Sequence, residues 1–240
     1  MNKLTSNENM KEKLKILNIG LDEIQTIYNK IVETSTQTLN KIMPSLGESF
    51  PNAETEGFKT INRSLGNKLF EDFALLEKIF LEDGIYKVKV NSFSFDWNDV
   101  PFIDKPKVLR WINDIIEAWK PAESEILKAK KTLENGLSEI NGYLAKISDI
   151  SDNLINEIMP EPGDCWKMMD NSTDEYTISL YLDDFDHSET IIQVYRSKEG
   201  DNFFLQTTDR NHNWTDLPAL EKSFLLEHIN KLHSYPNDEI

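Results

Sequence analysis

The side chains best suited to chemistry in this chain sit in one short stretch, Asp183-Asp-Phe-Asp-His187-Ser-Glu189. Asp183, Asp184, Asp186 and Glu189 with the His187 imidazole offer oxygen and nitrogen ligands for a divalent cation, as a hydrolytic metal site requires. The spacing is not that of an EF-hand, because no Gly occupies the sixth position. A solvated acidic turn is the plainer reading of the same residues.

Other nucleophiles and bases add little. His228 falls on the apolar face of the last helical segment, where a structural imidazole is expected. His212 lies in the polar stretch Asp209-Arg-Asn-His-Asn-Trp214. Cys165 stands in acidic surroundings, whereas reactive thiols need positive ones, so it reads as structural. The chain has no G-x-S-x-G, no G-x-x-x-x-G-K, no G-x-G-x-x-G and no H-E-x-x-H. With 9 Gly in all, phosphate-cradling loops are not expected, and no cofactor is implied.

Among the five Trp, Trp97, Trp111 and Trp119 fall on apolar faces, whereas Trp166 and Trp214 flank the acidic end. The sequence therefore predicts Trp166 and Trp214 as exposed aromatic anchors beside the carboxylates, a combination that suits protein binding.

The elements that position these residues follow from apolar spacing. Leu14, Leu17, Leu21, Ile24, Tyr28, Val32, Ser35, Leu39 and Ile42 recur at threes and fours. That pattern predicts a helix over 8–43, widened by Ile16, Ile19 and Ile27 and stopped by Pro44. A second helix is predicted over 57–82 from Phe58, Ile61, Leu65, Leu69, Phe73, Leu76 and Phe80, ended by Asp83-Gly84. In 86–97 the apolar positions change parity at Asn91-Ser92, which predicts a hairpin pairing Val90 with Phe93, Val88 with Phe95 and Tyr86 with Trp97. Lys87 then opposes Asp96.

Helices are expected over 107–119 and 122–158. The second carries a heptad seam of Leu133, Leu137, Ile140, Leu144, Ile147, Ser151, Leu154 and Ile158, with Gly136 and Gly142 inside it. Pro160-Glu-Pro-Gly163 marks a domain boundary. Beyond it, strands are expected at 165–169, 176–182, 191–196 and 203–208, with a left-handed Gly200 in the turn before the last. A helix over 217–233 closes the chain. The fold class is α+β: an elongated antiparallel helical bundle (1–160) with an inserted hairpin, then an acidic four-stranded antiparallel sheet with a C-terminal helix (161–240).

Charge supplies the functional expectation. Residues 1–150 hold 20 Lys+Arg against 23 Asp+Glu; residues 151–240 hold 6 against 19. Such a field repels nucleic acid and anionic membrane and attracts cationic proteins. The expectation is a non-catalytic cytoplasmic binder or inhibitor, of the immunity or anti-defence kind. Its acidic module would dock on a basic partner such as a nuclease or another nucleic-acid-binding protein. Asp183, Asp184, Asp186, Glu189, Trp166 and Trp214 would be its contacts. A metal-dependent hydrolase using 183–189 is the enzymatic alternative. A scaffolding subunit or homodimer built on the heptad helices is the structural one. The single Cys, the polar first residues and the absence of a roughly 20-residue apolar run fit a soluble protein in a reducing compartment.

Overall fold

The computed structural model describes residues 3–46, 49–50, 60–61, 74–90, 93–102, 104–119, 124–167, 191–208 and 210–234. The elements in order are α1 (Lys3–Leu46), β1 (Ser49–Phe50), β2 (Thr60–Ile61), β3 (Ala74–Glu82), β4 (Ile85–Val90) and β5 (Phe93–Asp96). After a 3-10 turn at Trp97–Asp99 come α2 (Lys105–Trp119), α3 (Ser124–Ile158), β6 (Cys165–Lys167), β7 (Ile191–Arg196), β8 (Phe203–Thr207) and β9 (Asn211–Asn213). A second 3-10 turn, Trp214–Asp216, leads into α4 (Ala219–Ser234). The fold is α+β, and no described helix is long and apolar enough to cross a membrane.

The chain divides into two compact units: residues 28–143 form one, and residues 1–27 with 144–240 form the other. Each takes part of both long helices, and the Pro160–Gly163 stretch lies inside the second.

In the 28–143 unit, α1 and α3 run antiparallel: Thr34 reaches Glu139, and Thr38 abuts Gly136. Tyr28, Ser35, Leu39 and Ile42 of the expected α1 stripe are buried, as are Leu133 and Ile140 of α3. Beside them lies a five-stranded antiparallel sheet in the order β1-β3-β4-β5, with β2 also on β3. The β4–β5 hairpin has the expected register, Val90 to Phe93 and Val88 to Phe95, with Lys87 opposite Asp96. The ladder stops there. Trp97 enters the 3-10 turn instead of pairing with Tyr86 and donates its indole N–H to Thr36 Oγ1 at 2.9 Å.

The helix expected over 57–82 is not found where the chain is described: Thr60–Ile61 and Ala74–Glu82 are strands. Asp83-Gly84 is not a helix end but a two-residue hairpin turn. Its left-handed backbone, φ 52° and 79°, is the combination an Asp-Gly I′ turn requires. Pro44 falls inside α1, which continues to Leu46.

In the other unit, Leu17 and Ile24 of α1 are buried, as are Ile147, Leu154, Ile155 and Ile158 of α3. The close approach of the two helices is set by Gly20, whose Cα faces the Leu154 methyls. Ile19, expected to widen the apolar face, is 62% exposed. The sheet has the order β6-β7-β8-β9, with Trp166, Val194, Leu205 and His212 in one cross-strand row. The fourth strand is thus Asn211–Asn213, read from sequence as a polar loop; the strand expected at 176–182 lies outside the described residues. Gly200 is not left-handed; of the described glycines, Gly84 and Gly163 are.

Candidate functional site

Two of the residues expected to bind a partner, Trp166 and Trp214, do not lie on the surface. Trp166 and Trp214 are 4% and 2% exposed, so the expectation of two exposed anchors is overturned. Each is held from inside the fold. Trp166 points to the covered side of its sheet, where the His233 ring meets it edge-on at 4.7 Å between centroids. Trp214 begins the 3-10 turn before α4, capped by Asn213, whose side chain accepts from the Thr215 N–H at 3.3 Å. Its indole N–H donates to Asp152 Oδ1 on α3 at 2.7 Å. Asp183, Asp184, Asp186, His187 and Glu189 lie outside the described residues.

Asp152 is the centre of a polar network that the sequence does not reveal. Lys222, 3% exposed in the first turn of α4, donates to both Asp152 oxygens at 2.9 and 3.2 Å and to Ser148 Oγ at 3.0 Å. An ammonium so placed must be paired, because an unpaired charge in the interior is very costly. A second clamp joins the sheet to the end of α3. The Arg196 guanidinium donates to the carbonyls of Met159 and Pro160 at 3.1 and 2.6 Å and to Asp201 at 2.6 Å. These charges are consumed by the architecture.

Cys165 is exposed, and its thiol donates to Gln193 Oε1 at 3.0 Å. Burial of the sulfur pushes the thiol up, only partly opposed by Lys167, which disfavours the thiolate a nucleophile needs. His228 is half-buried, and burial together with Lys231 and His233 pushes its pKa down.

In the 28–143 unit a different cluster appears at the start of α2. Asp104 is fully buried, its backbone carbonyl accepting the Val108 N–H at 2.9 Å as the helix begins. Burial raises its carboxyl pKa, opposed by the Lys107 ammonium bonded to Oδ1 at 2.9 Å. The neighbouring Lys105 ammonium lies 5.1 Å over the Trp97 ring and donates to the carbonyls of Trp97, at 2.7 Å, and Val100. Burial lowers its pKa to about 8. The ammonium thus ties together the 3-10 turn that ends the hairpin. Among the described residues no three His, Cys, Asp or Glu side chains are grouped to hold a metal ion.

The remaining candidate is a matter of charge and of where the chain is anchored. The connection from Lys167 to Ile191 leaves and re-enters one sheet on neighbouring strands, since Lys167 pairs with Gln193. Residues 168–190 hold seven Asp+Glu and no Lys or Arg. The described residues of the same unit are close to balance, with 14 Asp+Glu against 11 Lys+Arg. Comparison with protein-family models, with curated proteins and with solved structures finds no match for this chain.

Proposed function

We propose that this chain is a non-catalytic binding protein whose acidic connection between β6 and β7 docks on a cationic protein. The observation that carries the reading is the concentration of charge. Seven carboxylates without one compensating cation lie between two paired strands, while the described residues of that unit hold 14 Asp+Glu against 11 Lys+Arg. A localised field of one sign steers a complementary partner and repels nucleic acid and anionic lipid. Surfaces that grip nucleic-acid phosphates carry the matching charge, so a nuclease or another nucleic-acid-binding protein is the partner class, met in the cytoplasm. With Trp166 and Trp214 in the core, recognition rests on the carboxylates rather than on aromatic anchors.

The test is affinity capture from the native cell at low and high salt. It compares the intact chain with a variant carrying Asp183→Asn, Asp184→Asn, Asp186→Asn and Glu189→Gln. A cationic protein retained at low ionic strength is expected, with the variant associating about tenfold or more slowly. Equal association rates for the two chains would sink the assignment.

A further inference from the structure

Both nitrogens of the His233 ring have definite surroundings. Among the described residues Nε2 is buried with no hydrogen-bond partner, so the backbone bond between the ring and Lys167 falls to Nδ1. The ring also packs edge-on against Trp166. His233 lies in the last turn of α4 and Lys167 ends the edge strand β6, so this one imidazole joins the end of a helix to the rim of a sheet. An imidazole that bonds a backbone carbonyl through one N–H keeps its lone pair on the other nitrogen. The nitrogen that takes up a proton is therefore the buried one, and among the described residues the new N–H would find no acceptor.

We propose that His233 is an acid-sensitive latch, holding the last turns of α4 to β6 at neutral pH and releasing them when its ring is protonated. Among the described residues, no charged side chain is a cause of the ring's shift. The described titratable and charged groups on the elements that meet at the ring are Glu227, His228 and Lys231 in the last turns of α4 and Lys167 on β6; just before that strand Asp164 pairs with Lys13 of α1 at 3.6 Å. Burial pushes the His233 pKa down and the Lys167 backbone bond opposes it; among the described residues no carboxylate contributes. Burial also pushes His228 down, reinforced by Lys231 and by His233 itself, so the two rings disfavour each other's charge. The sign follows: a base with a folded pKa below its unfolded value of 6.5 lends full stability above pH 6.5. That contribution is lost as the pH falls from 6.5 through the folded pKa. The latch thus opens on the acid side of neutrality.

The test uses the full chain. Titration of the His233 ring by NMR should give a pKa below 6.5. Hydrogen exchange in the last two turns of α4, corrected for intrinsic chemistry, should quicken between pH 7.5 and 5.0 by about tenfold per unit of pKa depression. His233→Phe keeps an aromatic ring against Trp166 but takes up no proton, and its exchange should lose most of that pH dependence. His233→Asn, a second non-titrating variant, should behave the same way if the Phe chain folds poorly. A His233 pKa at or above 6.5 would overturn the proposal, as would an undiminished acid response in a folded variant.

Discussion

Gly136 and Gly142 lie six residues apart in α3, yet replacing each by Ala should have opposite consequences. In a helix interior, Gly costs about 1 kcal/mol relative to Ala because its backbone loses more freedom on folding. At Gly142 nothing lies within 4 Å of an added Cβ, so Gly142→Ala should collect that difference and stabilise by about 0.5–1 kcal/mol. At Gly136 an added Cβ would collide with Thr38 Oγ1 and lie 2.8 Å from its Cγ2 and 3.0 Å from its Cβ. Rotating χ1 of Thr38 moves the first two atoms but not the third, so α1 and α3 must part by a few tenths of an ångström. Thr38 is 4% exposed, and overpacking at such a site costs about 1–3 kcal/mol. Set against the propensity gain, Gly136→Ala should destabilise by about 1 kcal/mol, leaving the two variants roughly 2 kcal/mol apart. For a chain of this size that is about 4–8 °C in Tm by calorimetry or circular dichroism. If Gly136→Ala stabilised as much as Gly142→Ala, the tight crossing inferred at Thr38 would be refuted.

Lys222→Met should destabilise by about 1–3 kcal/mol in urea unfolding, a range held down because Asp152 is partly exposed and can be rehydrated. Trp214 fluorescence should change with it, since both side chains share Asp152; an unaltered urea midpoint would count against the network. Arg196→Lys should cost about 1–2 kcal/mol, because an ammonium cannot span two carbonyls and Asp201 as the planar fork does. Proteolysis near residue 160 should quicken in that variant. Lys105 has a folded pKa of about 8 against 10.5 unfolded, so burying its charge opposes folding below about pH 8. The stability of the native chain relative to Lys105→Met should therefore rise between pH 8 and 10.5, measured by denaturant midpoints; a constant difference would refute the shift.

Local signals were legible and distant ones were not. The β4–β5 register follows from a parity change at two residues, and the long stripes of α1 and α3 declare themselves through repeated three- and four-residue spacings. β3 escaped because it contains an irregularity: Leu76 pairs with Val90 but Ile79 with Val88, three residues against two. Such a bulge breaks the two-residue alternation and imitates a helical interval. Asp83-Gly84 was the better signal, since that dipeptide between apolar runs favours a hairpin over a helix end. β9 could not be read from side-chain pattern, because Asn-His-Asn offers no apolar alternation although it pairs with β8. Trp214 was misplaced for a third reason. Proximity to acidic residues in sequence says nothing of exposure, and its partner Asp152 lies 62 residues away.

The nesting of one unit inside the other has a consequence for synthesis. Residues 28–143 are contiguous, so everything that unit requires has been translated once Tyr143 is made. Residues 1–27 must wait for partners drawn from residues 144–240. At ordinary elongation rates the wait is about 5–20 s. During it the front of α1 carries Leu17 and Ile24 without the side chains that will cover them. The opening helix is therefore the segment most in need of a chaperone on the ribosome, and the one whose burial marks the end of folding.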